Sequence, residues 1–169
     1  ITMSRRAGLP DASARSSAGL ISSGFVIRSP WTPMLLAMAA TSKGAGGLET
    51  PAATATVDNP LCGDRVTMDI TMADGVITDV GHKVRGCVLC QASASTIGEH
   101  AVGQRAEDVQ RVHGRIHSML NGGADETPEP WTEDVSAFEP VAPHKSRHQC
   151  VLLPFDALIE ALATAKSGS

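Results

Sequence analysis

Residues 65–80, with the sequence RVTMDITMADGVITDV, decide the fold of this chain. In their first half, apolar and more polar residues alternate, as they do in a strand with one buried face. The apolar set is Val66, Met68, Ile70 and Met72. Asp74 and Gly75 form a hairpin turn sequence, after which a return strand reaches about Val84. Because residues 53–57 alternate like an edge strand, we predict a small three-stranded antiparallel sheet.

Helical patterns flank the predicted sheet on both sides in the sequence. We predict helices over residues 33–42, 88–103, 105–120 and 151–166. The acidic, proline-rich residues 121–146 predict a long loop with one helical turn at 133–138. The expected class is therefore α+β, with about four helices packed on one side of the sheet, and residues 32–169 forming a single domain.

The first 31 residues lack both helical and strand periodicity. They are rich in Ser, Ala, Gly and Arg, and Asp11 is their one acidic residue. We expect residues 1–31 to be a disordered extension, either a flexible tail or an organellar transit peptide.

Composition excludes several classes of function. The net charge of -4 over 169 residues gives no electrostatic reason to expect nucleic acid as a partner. No apolar run is long enough to span a membrane. Four cysteines without a convincing signal peptide are typical of a reducing compartment rather than of a secreted disulfide scaffold. We therefore expect a cytoplasmic protein whose partners are proteins or ions.

The turn sequence NPLCGD at residues 59–64 places a thiol and a carboxylate close together. Gly63 allows a positive φ, so Cys62 and Asp64 can point to one centre. Cys87 and Cys150 fall at the predicted starts of two helices, where the positive end of the helix dipole lowers a thiol pKa. Three thiolates and one carboxylate suit zinc or an iron–sulfur cluster. The alternative is that each cysteine is a small buried apolar residue.

Cys90 lies three residues after Cys87 and therefore on the same face of the predicted helix. It could replace Asp64 as the fourth ligand, act as a resolving thiol, or be an inert packed cysteine. His113 and His117 also share a helical face, but without the glutamate of a zincin motif we expect them to face solvent.

Three features together resemble the IscU, SufU and NifU N-terminal scaffolds of iron–sulfur cluster assembly. They are the NPLCGD turn, the GC pair at 86–87 followed by ASAS at 92–95, and Arg147 three residues before Cys150. The resemblance covers about residues 33–166 and implies a SufE/NifU-like fold. It implies that four residues bind a 2Fe-2S or 4Fe-4S cluster or Zn²⁺, namely Cys62, Asp64, Cys87 and Cys150.

The same resemblance implies a function and partners. Cys150 and Cys62 would be the candidate acceptors of persulfide sulfur from a cysteine desulfurase. The transient cluster would pass to apo iron–sulfur proteins, and a homodimer is one expected state of the cluster-loaded protein. Asp64 would be the carboxylate that tunes cluster release or completes a zinc site.

The chain departs from the IscU pattern next to its last cysteine. Gln149 stands where IscU has a histidine, and residues 139–143 only partly match the chaperone-recognition segment. The insertion before Cys150 is similar to the SufU branch, so a zinc-bound sulfurtransferase is the alternative function. A structural zinc domain that serves protein interaction is a third class, in which zinc contributes only to folding.

Overall fold

The computed structural model describes residues 32–123 and 131–167. Its three strands are β1 (Ala53–Asn59), β2 (Asp64–Ala73) and β3 (Val76–Arg85). The helices are α1 (Thr32–Thr41), α2 (Val88–His100), α3 (Ala106–Leu120), α4 (Thr132–Ser136) and α5 (Lys145–Ser167), with a 3₁₀ turn at Glu139–Val141. The predicted extension at residues 1–31 lies outside the described residues.

The sheet is the antiparallel meander predicted from its alternating residues. Its strand order is β1-β2-β3, and Ala53 to Asn59 pair in register with Ile70 to Asp64. The apolar residues Val66, Met68 and Ile70 are fully buried. Asp74 and Gly75 join β2 to β3 with φ angles of 51° and 76°. Positive φ angles at both positions give a two-residue hairpin turn whose twist matches that of the flanking strands. The α+β class is thereby confirmed.

Helix α5 packs against more of the other elements than any other helix does. It contacts β1 and β2 of the sheet and also α2 and α3. The helix begins at Lys145 rather than at the predicted residue 151, so the prediction that Cys150 lies at a helix start is wrong. Residues 145–149 are polar and carry no apolar stripe, but lysine, arginine and glutamine are good helix formers. As a result Pro154 lies inside the helix and not in its first turn.

A close backbone contact joins α2 to the loop that follows α1. A Cβ added to Gly98 would lie 1.9 Å from the carbonyl oxygen of Lys43, so only glycine fits at this point of α2. The same carbonyl oxygen accepts a hydrogen bond from Nε2 of His82, at 2.8 Å. This junction fixes α2 against β3.

His82 is buried as a neutral imidazole, which predicts a dependence of stability on pH. Burial lowers the pKa of His82, although its hydrogen bond to Lys43 acts in the opposite direction. Since Nε2 carries the donated proton, Nδ1 is a bare nitrogen with no hydrogen-bond partner. Protonation would create a second buried N–H with nothing to accept it.

We expect the free energy of unfolding to fall as the pH drops below about 6.5, the ordinary histidine pKa, because the unfolded chain then binds the proton more readily. The variant His82→Gln should show a shallower decrease between pH 7 and 5, measured by urea denaturation at each pH. The control His117→Gln removes an exposed imidazole. Parallel pH curves for wild type and His82→Gln would contradict the prediction.

None of the helices in the described ranges is both long enough and apolar enough to cross a lipid bilayer.

Candidate metal centre

The hairpin between β1 and β2 positions the first member of the site. The side-chain Oδ1 of Asn59 accepts a hydrogen bond from the backbone N–H of Leu61, at 3.0 Å. The backbone N–H of Gly63 donates to the Asn59 carbonyl at 2.8 Å, and Gly63 has a φ of 74°. This turn buries Asp64 at the start of β2. It leaves Cys62 exposed at the tip beside Leu61, which is 94% exposed.

The junction between β3 and α2 positions two thiols. Cys87 is the N-cap residue of α2, with an extended backbone and no side-chain capping bond, and Cys90 lies in the first turn. A Cβ on Gly86 would approach the Cβ of Cys90 to 3.0 Å and Cγ of Asp64 to 3.1 Å. Glycine at position 86 therefore allows α2 to come close to the carboxylate.

Helix α5 contributes the fourth member from its second turn. Cys150 is fully buried, and it lies with Asp64, Cys87 and Cys90 so that one ligand atom from each is within 4.8 Å of all the others. The structure thus brings together three of the four residues predicted as ligands. The sulfur of Cys62 lies outside this group, and Cys90, the predicted alternative, lies in it.

Hydrogen bonds connect the members of the group. The one proton of the Cys90 thiol is shared between two acceptors, Oδ2 of Asp64 at 3.2 Å and the carbonyl oxygen of Cys150 at 3.0 Å. Hydrogen bonds from Cys150 and Cys90 to its sulfur lower the pKa of Cys87. Donation to Cys87 raises the pKa of Cys150 to about 12, and the bonds with Cys150 and Cys87 raise that of Cys90. Cys87 is therefore the first of the three to become a thiolate.

The donor set fits a metal ion. Zinc sites use thiolate, imidazole or carboxylate ligands in a tetrahedron, at about 2.3 Å for sulfur and about 2.0–2.2 Å for carboxylate oxygen. Sulfur atoms around such an ion lie within the mutual distance found here. Thiolates also bind iron in iron–sulfur clusters, for which a carboxylate is a harder and weaker ligand.

The histidines near α5 do not join this group. His113 is bonded to Asp156 at 2.9 Å, and Gln149 donates to the same carboxylate at 3.0 Å. His148 is bonded to the carbonyl oxygen of Ala142 at 2.9 Å. His117 faces solvent as predicted, whereas His113 is half-buried in its bond to α5.

Two parts of the site escaped the sequence analysis. The close approach at Gly86 depends on the angle between β3 and α2, which no local pattern contains. Because α5 begins at Lys145, Pro154 lies four residues after Cys150 inside the helix and has no N–H for the Cys150 carbonyl, which the predicted start at residue 151 did not allow. The four-residue spacing between Cys150 and Pro154 was the available signal.

A comparison with protein families gives a match to the NifU-like N terminal domain over residues 36–151. The chain belongs to this family. An IscU iron–sulfur cluster assembly scaffold protein of Thermotoga maritima is 28% identical over 138 residues, which are 82% of this chain and 96% of that protein. The zinc-dependent sulfurtransferase SufU of Bacillus subtilis is 25% identical over 113 residues, covering 67% of this chain and 76% of that protein.

Solved structures agree with this family membership. A NifU-like protein (N-terminal) from Brucella abortus has a TM-score of 0.75 and 35% identity, covering 80% of this NifU-like chain and 93% of that chain. A SUF-system scaffold protein from Fervidobacterium islandicum, described as putative, has a TM-score of 0.70 and 25% identity, covering 79% and 95%. The NifU-like fold of this chain is therefore shared over nearly the full length of those structures.

Proposed function

We propose that this NifU-like protein is an iron–sulfur cluster assembly scaffold. The observation that carries the proposal is the largely buried group in which the potential ligand atoms of Asp64, Cys87 and Cys150, together with the sulfur of Cys90, lie within 4.8 Å of one another. The similarity to scaffold proteins named IscU supports it. The cluster is the cargo of such a protein, so its ligands must bind it and also release it.

Within this proposal, the ligands are the residues predicted from the sequence, namely Cys62, Asp64, Cys87 and Cys150. Asp64, Cys87 and Cys150 form a preassembled part of the centre. Cys62 supplies the fourth ligand from the exposed hairpin tip, where it can also meet a partner protein. Asp64 is the weak ligand at which exchange begins, because a carboxylate binds iron less firmly than a thiolate does.

The hairpin tip is the proposed contact for a cysteine desulfurase. Leu61 is 94% exposed beside Cys62, and a large apolar side chain in that position gives a partner an anchor next to the reactive thiol. Cys62 and, from inside the centre, Cys150 are the candidate persulfide acceptors. Apo iron–sulfur proteins are the receiving partners, and a cluster shared by two chains would make the loaded form a homodimer. Four free thiols fit a reducing compartment such as the cytoplasm.

Anaerobic reconstitution with iron and sulfide tests the proposal. We expect sulfur-to-iron charge-transfer bands in the visible spectrum of the wild type. The variant Asp64→Ala should also form them but transfer its cluster more slowly to an apo-ferredoxin, because the weak ligand is gone. Absence of the bands in the wild type would contradict the scaffold function, and equal transfer rates would contradict the role of Asp64.

A zinc-dependent sulfurtransferase is the second candidate, favoured by the similarity to SufU. Zinc would keep bound thiolates deprotonated and protected, and Cys62 would accept sulfur at the exposed tip. Metal and acid-labile sulfide content of anaerobically purified protein separates the two functions. One zinc per chain without sulfide, together with activation of the desulfurase, would favour the sulfurtransferase.

A further inference from the structure

Pro154 leaves one carbonyl of α5 without its helical partner. In an α-helix the carbonyl oxygen of residue 150 accepts from the N–H of residue 154, and proline has no N–H. Cys150 is fully buried, so water does not replace this bond. Instead, the S–H of Cys90 donates to the Cys150 carbonyl oxygen at 3.0 Å.

A second donor on the same face of α2 repeats this contact at the next carbonyl. Ser93, three residues after Cys90, donates its hydroxyl to the carbonyl oxygen of Val151 at 2.7 Å. Cys90 and Ser93 are both fully buried. Helix α2 therefore provides two side-chain donors to two consecutive carbonyls in the turn that Pro154 interrupts.

The thiol of Cys90 also reaches the carboxylate of the centre, with Oδ2 of Asp64 at 3.2 Å. One side chain thus contacts residues of two other elements, Asp64 at the start of β2 and Cys150 in α5. We propose that Cys90 is a positioning residue of the metal centre, a hydrogen-bond donor that holds Asp64 and the Cys150 segment in place rather than a ligand. This inference rests on the proposed function, in which Asp64 and Cys150 are ligands.

The contacts of Cys90 favour a donor over a ligand. As a thiolate ligand, Cys90 would place negative charge 3.0 Å from a carbonyl oxygen and 3.2 Å from a carboxylate oxygen. The Cys150 carbonyl would then lose the side-chain donor that takes the place of the missing N–H of residue 154, which is costly for a buried acceptor. The hydrogen bond to the Cys150 carbonyl oxygen comes from the side chain of Cys90 and not from those of Cys87 and Cys150.

A double-mutant cycle on the metal-free full chain tests the hydrogen bond. In the wild-type background, Cys90→Ala should raise the unfolding equilibrium constant by about tenfold, because a buried acceptor loses its donor. In the Pro154→Ala background, the new N–H can bond to the Cys150 carbonyl, so the same substitution should have a clearly smaller effect. The lost volume of the sulfur is common to both backgrounds. Equal effects in the two backgrounds would overturn the inference.

Cobalt binding tests the role in the centre. Loaded with Co²⁺, Cys90→Ser and Cys90→Ala should keep the wild-type intensity of the sulfur-to-cobalt charge-transfer band, whereas Cys87→Ser should lose intensity. Cys90→Ala should bind Co²⁺ about 10- to 100-fold more weakly, as expected for loss of a group that orients a ligand. Cys90→Ser, which keeps a donor, should recover most of that affinity.

Loss of band intensity in Cys90→Ser equal to that in Cys87→Ser would identify Cys90 as a ligand and overturn the inference. The scaffold function would survive that result, because a cluster could still be built on the revised ligand set. A wild type that binds neither Co²⁺ nor a cluster would overturn the proposed function and the inference together.

Discussion

Replacing Cys87 with serine is expected to weaken metal binding by about 100-fold or more while leaving the fold intact. Structural zinc sites gain about 10–16 kcal/mol from roughly four ligands, so one lost thiolate costs on the order of 3 kcal/mol, which is more than 100-fold. Hydrogen bonds from the other thiols also lower the pKa of Cys87, which favours its thiolate form, the form that binds metal.

The fold should tolerate this substitution because Cys87 is the N-cap of α2 and makes no side-chain capping bond. Serine is a preferred N-cap residue, so it can stabilise the start of α2 in a way that cysteine does not. Competition with a chromophoric chelator measures the affinity for Zn²⁺, and circular dichroism of the metal-free protein checks the fold. The comparison variant Cys62→Ser removes the proposed fourth ligand, whose exposed sulfur lies outside the preassembled group, so it should cause a smaller loss. An equal or larger loss in Cys62→Ser would contradict a centre preassembled around Cys87.

The variant Gly98→Ala is expected to destabilise the protein by about 3 kcal/mol or more, within the range of the severe single substitutions. The new Cβ would lie 1.9 Å from the Lys43 carbonyl oxygen, and that contact is with backbone, which cannot turn aside as a flexible side chain would. The loop must move away from α2, and the hydrogen bond from His82 to the same oxygen is then strained. Urea denaturation followed by circular dichroism measures the loss.

The matched control is Gly114→Ala, the same change inside α3. A Cβ at Gly114 meets nothing within 4 Å. Alanine is a better helix former than glycine by about 1 kcal/mol, so this variant should be slightly more stable than the wild type. If both variants shifted stability in the same direction, helix propensity rather than the contact with Lys43 would govern position 98.

Much of the fold could be predicted because local patterns and the final environment agree. The alternation of Val66, Met68 and Ile70 matches the buried face of β2, with Met72 partly buried, and Asp74 and Gly75 adopt the positive φ angles that their turn requires. In α3, Val109 and Ile116 are buried as their spacing predicts. In each case the residues that determine the strand, turn or helix lie within a short window of sequence.

The start of α5 could not be read from the sequence because its first residues are exposed. Residues 145–149 lie outside the core and so carry no apolar stripe, although they continue the helix. Because of this error the prediction placed Cys150 at a helix start, whereas Cys150 lies inside α5. Hydrogen bonds with Cys87 and Cys90, rather than a helix terminus, therefore shift the pKa of its thiol.

Membership of the buried group was only partly predictable. The sequence predicts that Cys62, Asp64, Cys87 and Cys150 meet, with Cys90 as an alternative fourth ligand, a resolving thiol or an inert packed cysteine. In the structure the sulfur of Cys62 lies outside the group and that of Cys90 lies in it. Which thiol lies inside depends on how closely α2 approaches β2, and that distance is set by Gly86 and by packing against α5. The spacing of the four cysteines along the sequence therefore does not predict this long-range geometry.

The members of the centre are far apart along the chain, and this separation sets an order in time. Asp64 lies in β2, Cys87 and Cys90 lie in α2, and Cys150 follows in α5. A ribosome adds Cys150 some 60 residues after Cys90, at about 5–20 residues per second, so seconds pass during which the nascent chain holds an incomplete site. Any ion bound in that interval lacks the ligand from α5. If the proposed ligands hold, all of them are available together only after synthesis has passed α5.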